Sequence, residues 1–454
     1  MAEQAFIVTD LSYGDAAKGA TVEFLATKSQ KPLVVRHNGG GQAGHNIVRA
    51  DGRSHTFSHF GSASFQPSAR THLSSYMVVN PLHMMNEAVA LEKLGLTDIW
   101  QRTSVDPELK IVTPWHKSAN RLRELSRGIE RHGSCGYGVG EVMADDQLHP
   151  EHTLRVRDLF VPTTLSAKLR AIRAFKHDQL DDVDVPVTPF STVEWSVFES
   201  DEVIEQLRSL YAEWLSSVSI WDEDRLASEM VGSDRVIFEG SQGVLLDEWY
   251  GFHPHTTWST TTHQNALEIL RRCSFSGDVT RLGLIRSYTT RHGAGPFVTE
   301  NTVLGVLMDK NNPTNAWQGD FRHGELDLLV HRYAQEVCGG IDVLVVSHLD
   351  QLPSSGVIRY CNQYELDATF SVDGLFERDE YSRVHRIIPG SVDQLDRQEK
   401  ITQLLYACSP HYDELSLDSG KSRSEAFIQL IESVMGTKVA IAASGPTSND
   451  RQLR

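Results

Sequence analysis

The chain has 454 residues, 40% of them apolar and 23% charged, with a formal net charge of −17, the balance of a soluble globular protein. Such a surplus of acid excludes a general nucleic-acid or anionic-membrane surface, because both need a cationic footprint, and leaves room only for a local basic pocket. No apolar run approaches the roughly 20 residues that span a bilayer; with MAEQAFIVTD unlike a secretory leader and five scattered cysteines without CxxC spacing, a cytoplasmic protein with reduced thiols is expected.

In chain order, short apolar runs recur between helical stretches. The runs are AFIVTD, PLVVRH, RVIFEG, RLGLIRSY, IDVLVVSHLD and KVAIAAS. They are continuous in apolar residues and do not alternate, which suits strands covered on both faces of a mainly parallel sheet. Helices are predicted over 84–95, 117–130, 165–175, 202–216, 263–272, 326–338 and 423–435. Nothing repeats at a fixed period and no low-complexity linker divides the chain. The expectation is one α/β domain over 1–454, a large mainly parallel sheet flanked by helices, with 100–230 as its more helical insertion.

Glycine-rich turns follow several of these strands: GDAAKG (14–19), NGGGQAGHN (38–46), GSCGYGVGE (133–141), EGSQG (239–243) and RHGAGP (291–296). Open α/β sheets bind ligands at the carboxyl ends of their strands, and glycine lets backbone N–H groups approach an anion. The first loop departs from GxxxxGK[ST]. Its lysine, Lys18, precedes a glycine, and an acid, Asp15, sits in the middle. Asp15 suits either a helix N-cap or a chemical base.

The motifs together resemble adenylosuccinate synthetase, a ligase family of purine biosynthesis. Its WGDEGKGK is matched by YGDAAKGA (13–20), its RxxGGxNAGHT by RHNGGGQAGHN (36–46), and its FEGAQGTLLD by FEGSQGVLLD (238–247). A Gly-x-x-Pro-x-x-Thr pattern follows in GFHPHTT, STRVGAGPFPTE is matched by TTRHGAGPFVTE (289–300), and KLD and STGP by HLD (348–350) and ASGP (443–446). The order is collinear over the whole chain.

The resemblance implies an enzyme that uses GTP or ATP with Mg²⁺ to phosphorylate the 6-oxo group of a purine nucleotide, IMP or a related one. An amine, aspartate in the family, then displaces the phosphate. By resemblance, Asp15 removes the N1 proton and ligates Mg²⁺ together with the carbonyl of Gly44. His45 meets the transferring phosphoryl group, Gln242 orients the 6-position, and Lys18 contacts phosphate or the 6-oxygen. Nucleotide contacts are carried onto Gly14, Gly19, Asn38, Gly40, Gln42, Gly44, Ser134, Cys135, Thr257, Arg322, His348, Asp350, Ser444 and Gly445. Asp350 would accept from a guanine base. A homodimer is expected on the same ground.

The departures are uneven. Ala16, Ala17 and Ala20 replace a Glu, a Gly and a Lys of the first loop, and His348 replaces the lysine of KLD. Across 315–327, NAWQGDFRHGELD keeps only Arg322 of the arginine cluster with which the family clamps aspartate, and adds Asp320. Bidentate arginine is the natural carboxylate clamp, so a dicarboxylate should be less welcome. Cys135 and Gln42 replace a threonine and an asparagine at the 5′-phosphate, and 144–158 lacks the family's basic pair. Two alternatives therefore stand beside adenylosuccinate formation. One is a paralogue using another amine, such as hydroxylamine or a different amino acid, in modified-purine synthesis. The other is a nucleotide sensor that has lost ligation.

Overall fold

The computed structural model describes residues 4–128, 131–306, 317, 319–353, 356–416 and 422–454. Its centre is a ten-stranded sheet. From one edge to the other the strands are Arg451–Leu453, Val439–Ala443, Val343–Ser347, Asp278–Arg286, Gln4–Asp10, Arg235–Glu239, Pro32–Arg36, Arg70–Leu73, Thr103–Val105 and Ser219–Ile220. All neighbours run parallel except the terminal Arg451–Leu453, which returns antiparallel. The six apolar runs of the sequence form the six adjacent strands from Val439–Ala443 to Pro32–Arg36. Burial on both faces explains their composition: in Pro32–Arg36 every residue is buried, as a parallel sheet covered by helices requires.

Predicted helices appear at Pro81–Lys93, Pro114–Arg127, Pro162–Asp178, Glu202–Ser217, Gln264–Arg272, Leu328–Val337 and Arg423–Met435; the last two positions of the 117–130 prediction lie outside the described residues. Three open on a proline, whose fixed φ suits the first helical turn. Among the described residues the stretch 100–230 carries six α-helices, and Trp115, Leu169, Tyr211 and Trp214 are buried in their shared core. A second core, with Leu11, Phe252, Tyr333, Tyr364 and Phe427, packs the carboxyl-terminal half. There Ile358–Glu365, Phe376–Arg378, Val384–Ile387 and Ser409–Leu415 form a smaller sheet that the apolar pattern of the sequence does not anticipate. No helix among the described residues is long and apolar enough to cross a membrane.

This topology brings the loops after Asp10, Arg36, Glu239, Arg286, Ser347 and Ala443 to one end of the sheet. A cleft of about 1230 Å³ opens there.

Candidate active site

The first loop is shaped by an aspartate at the end of its strand. The buried Asp10 carboxylate accepts from the N–H groups of Ser12 (2.9 Å) and Ala16 (2.7 Å) and faces the Lys18 ammonium at 3.4 Å. Lys18 also donates to the Gly14 carbonyl at 2.5 Å, so its charge is held inside the loop. Gly14 has φ +119°, open to glycine but rarely to other residues. Its neighbour Gly243 is fixed by closeness: a Cβ there would come within 2.2 Å of the Ser12 carbonyl oxygen. The first loop and EGSQG thus lie in backbone contact.

Asp15 does not cap the helix Lys18–Thr27, whose N-cap position is Ala17 in a left-handed conformation without a side-chain bond. Its carboxylate instead faces the cleft, still 21% exposed, with His292 Nε2 at 3.7 Å. Desolvation raises its pKa, while His292, Arg286 and Lys18 pull it back. Arg286 also donates to the Asp15 carbonyl at 3.3 Å and lies over the Tyr288 ring at 4.2 Å.

A second acid at a strand end orients His45. The carboxylate of Glu239, fully buried, lies 2.5 Å from His45 Nδ1, accepts from the Ser62 N–H at 3.0 Å and also from its hydroxyl. Burial pushes Glu239 up, but the Arg36 guanidinium on the adjacent strand and the hydrogen bonds from His45 and Ser62 outweigh it and bring it to about 2. An anionic Glu239 makes Nδ1 the donor and turns Nε2 toward the cleft. That Nε2 is buried without a partner among the described residues. Desolvation lowers the imidazole's pKa, with Glu239 opposing.

Gln242, at φ +61°, donates from Nε2 to the Thr257 hydroxyl at 3.0 Å, and its buried Oε1 has no partner among the described residues. Asn38 holds the same turn from behind, accepting from Ser241 N–H at 2.7 Å and donating to its carbonyl at 3.1 Å.

Of the residues singled out in the sequence, Gly14, Asp15, Lys18, Gly19, Gln42, Gly44, His45, Ser134, Cys135, Gln242, Thr257, His348, Asp350 and Gly445 line the cleft. Asn38, Gly40, Arg322 and Ser444 do not. Gly40 lacks room for a side chain between Val78 O and Gln42, and the Ser444 N–H donates to Asp450 O. Arg322 pairs in bidentate fashion with Glu300, at 2.9 and 2.5 Å, and donates to the carbonyls of Gly293 and Gly295. Residues 315, 316 and 318 of the altered clamp segment lie outside the described residues. His348 sits at φ +60°; burial, then Arg286 and Arg451, hold it well below the usual imidazole range, so it enters the site neutral. Asp350 is exposed and accepts from Gln351 at 2.6 Å. Sequence reasoning passes over Asp10, Glu239 and His292. The signal for the first two is present: a lone acid closing an apolar strand, in AFIVTD and RVIFEG.

The adenylosuccinate synthetase family model matches residues 7–452. The chain belongs to that family. It is a carbon–nitrogen ligase of the adenylosuccinate synthetase type, a family that binds GTP and serves purine biosynthesis. Relatives include the adenylosuccinate synthetases of Clostridium perfringens, 27% identical over 98% of this chain and 97% of theirs, and of Vibrio cholerae O395, 28% identical over 99% and 98%. Among solved structures, the fully ligated adenylosuccinate synthetase of Plasmodium falciparum superposes with a TM-score of 0.74 at 19% identity, covering all of both chains. The cyanophage S-2L succinoaminodeoxyadenylate synthetase, bound to dGMP and dATP, superposes at 0.56 and 15%, over 100% of this chain and 96% of that one. At such identities these two likenesses concern the fold.

Proposed function

We propose that the protein uses a nucleoside triphosphate to phosphorylate the 6-oxo group of a purine and then replaces it with an amine. The observation that carries this reading is a convergence on one cleft. The open Asp15 carboxylate stands in the loop that holds Lys18, and His45 Nε2 and Gln242 Oε1, without partners among the described residues, are buried in the same walls. A purely nucleotide-binding protein has no need of a base and an oriented imidazole there, which weighs against a sensor.

Asp15 takes the N1 proton, so the purine 6-oxygen gains charge and attacks the γ-phosphorus as the bond to the leaving nucleoside diphosphate breaks. A carboxylate whose pKa is raised by its surroundings is the stronger base for that task. His45 Nε2, aimed by Glu239, meets the transferred phosphoryl group. Gln242, steadied by Thr257, presents its amide to the purine's 6-position. Lys18 keeps positive charge beneath the phosphates. In the second step the amine nitrogen bonds to C6 and gives up a proton, while the C6–O bond breaks and orthophosphate leaves. The Asp15 carboxylate and the carbonyl of Gly44, exposed on the cleft wall, are the hard oxygen donors that suit Mg²⁺. Bound there, it would neutralise phosphate charge. The rim around His348, Asp350 and Gly445 takes the triphosphate's base, GTP or ATP.

A second reading concerns the amine. All three guanidinium nitrogens of Arg322 are engaged, by Glu300 or by loop carbonyls. Arg291, 1% exposed, donates to the carbonyls of Ala294, Pro296 and His255 and stacks on Tyr13 at 4.4 Å. Neither guanidinium offers a dicarboxylate the fork it needs, which favours an amine other than aspartate. The test is triphosphate turnover with Mg²⁺ and a purine, with aspartate, hydroxylamine and a panel of amino acids in parallel. Sustained release of nucleoside diphosphate and orthophosphate that requires both purine and amine, with a 6-amino product by mass, is expected. Purine-independent hydrolysis, or tight binding without turnover, would refute the ligase reading.

A further inference from the structure

Asp15 has little side-chain support within its own loop. The Ser12 and Ala16 N–H groups and the Lys18 ammonium are all turned on Asp10, and Arg286 donates to the main-chain carbonyl of Asp15. Among the described residues the Asp15 carboxylate accepts no hydrogen bond, and its ion-pair contact is His292 Nε2, 3.7 Å from Oδ2. Proton abstraction asks for more. The accepting oxygen must come within hydrogen-bond reach of N1–H, and a displacement of about 1 Å can cost about 100-fold in rate.

His292 stands where the family's STRVGAGPFPTE has a valine. It closes the strand Thr289–His292, which pairs antiparallel with Phe321–Gly324 in a two-stranded ribbon. Phe321 lies directly opposite, and the two rings are 4.6 Å apart, tilted by 49°. Phe321 in turn meets the His323 ring edge-on at 5.0 Å. The Gly293 N–H donates to the Asp320 carbonyl at 2.9 Å, and Arg322 donates to the carbonyls of Gly293 and Gly295 at 2.9 and 3.0 Å. Three consecutive residues of the altered clamp segment, Asp320, Phe321 and Arg322, thus bear on the turn that begins at His292.

A valine at 292 would fill the space beside Phe321 but offer no polar atom to Asp15. The imidazole does both, with its body against Phe321 and Nε2 toward the carboxylate. At 3.7 Å that contact is longer than a hydrogen bond, as catalytic contacts commonly are before substrate draws a site together.

We infer that His292 is a positioning residue for the base: braced by Phe321 across the ribbon, it holds one oxygen of the Asp15 carboxylate so that the other meets the purine N1–H. The segment that lacks the family's arginine cluster supplies that brace. The inference rests on the proposed ligase function, in which Asp15 is the base, and it leaves the bonds made and broken unchanged.

Positional isotope exchange reads the first step alone. GTP or ATP carrying heavy oxygen in the β–γ bridge is incubated with the full chain, Mg²⁺ and IMP or GMP, without an amine. The label scrambles only when the γ-phosphoryl group passes to the purine and returns. Exchange by the wild-type protein is expected, and its absence with every pairing would sink the ligase reading itself. His292→Val should slow exchange by about 10- to 100-fold, while calorimetric affinities for triphosphate and purine nucleotide stay within about 3-fold. His292→Gln, whose amide nitrogen reaches the same carboxylate oxygen, should stay within about 5-fold of wild type. Phe321→Leu should slow exchange by about 3-fold in the wild-type background and have no further effect beside His292→Val, the mark of two residues acting through one contact. With wild-type exchange intact, four results would overturn the inference alone: undiminished exchange by His292→Val, a loss matched by lost affinity, no advantage of Gln over Val, or an effect of Phe321→Leu that ignores residue 292.

Discussion

The cleft has two kinds of wall, and they treat charge in opposite ways. Where Asp15, His45 and Gln242 stand, polar atoms are oriented from behind and left unpartnered: His45 Nε2 and Gln242 Oε1 are buried without partners among the described residues, and each side chain is fixed by Glu239 or Thr257. Where substrates would be gripped, the cations are spent. Arg127, Arg123 and Lys176 on the cleft wall each face an internal carboxylate, and so does Arg322, which lies outside the cleft lining. Unsatisfied buried polar atoms are costly and persist where a ligand completes them. Satisfied ion pairs cost a ligand the energy of displacing them. The first wall is therefore poised for chemistry, and the second is selective by what it declines to bind.

The deepest break in this contrast is at the proposed base. Asp15→Asn should lower kcat by about 10³-fold, within the usual span for general base catalysis, while triphosphate affinity stays within about 3-fold. Stopped assays of diphosphate release with parallel titrations would check both, and a variant retaining a tenth of wild-type turnover would remove Asp15 from that role. Glu239→Gln comes next. It keeps shape but loses the charge that selects the His45 tautomer and faces Arg36 in the sheet, so kcat should fall by about 10²-fold. Stability should drop by about 3 kcal/mol, as for a buried pair stripped of one partner, measured by urea unfolding.

Histidines buried around the sheet, outside the cleft lining, make the fold acid-sensitive. Burial lowers His37 and His72 to about 3 and His263 to about 4. These rings fold neutral and charge more readily when unfolded, so their contribution is complete above the unfolded value near 6.5 and is lost as pH falls toward 4. Each adds a slope of up to about 1.4 kcal/mol per pH unit in that window. Glu239, depressed to about 2, adds a loss in the same direction below about pH 4.5. Thermal unfolding midpoints should fall steadily from pH 7 to 4, and His72→Phe, which removes one titrating ring, should flatten that profile. A midpoint insensitive to pH across this range would refute the assignment.

Much of the first wall is legible in the sequence because it is written locally. Asp15, Lys18, His45 and Gln242 lie in glycine-marked turns that directly follow apolar strands, and the parallel sheet brings those turns together by topology alone. The helix-rich wall is harder to read. The helix VGEVMADDQL has a glycine in its first turn and carries two adjacent aspartates, poor local evidence for a helix; it is held by packing, with Asp145 bridging His116 and Lys176. The outer strands Thr103–Val105 and Ser219–Ile220 are three and two residues long, too short to show any period. Ion pairs joining residues 35 or more apart, such as Lys176 with Glu141, leave no trace in a local pattern. The sequence also presents Arg322 as a surviving clamp residue, and its partner Glu300 lies in a different motif, so its engagement is visible only in three dimensions.

The smallest expected effect is also the sharpest test of whether Arg322 grips a substrate. If Arg322 is already committed to Glu300, Arg322→Lys should change the apparent KM for aspartate, if aspartate is used at all, by less than about 3-fold, because no carboxylate of the substrate was using its fork. Glu300→Gln should act the other way. It keeps the side-chain shape but frees a guanidinium already positioned by the carbonyls of Gly293 and Gly295. Aspartate turnover should then rise by about 5-fold relative to hydroxylamine, the scale of one partly exposed charge-assisted contact. The two variants discriminate because a working clamp predicts the reverse pattern: a large loss on changing Arg322, and little gain on changing Glu300. A KM for aspartate that rises about tenfold in Arg322→Lys, the scale of one lost charge-assisted contact, would show that the arginine leaves Glu300 when substrate arrives.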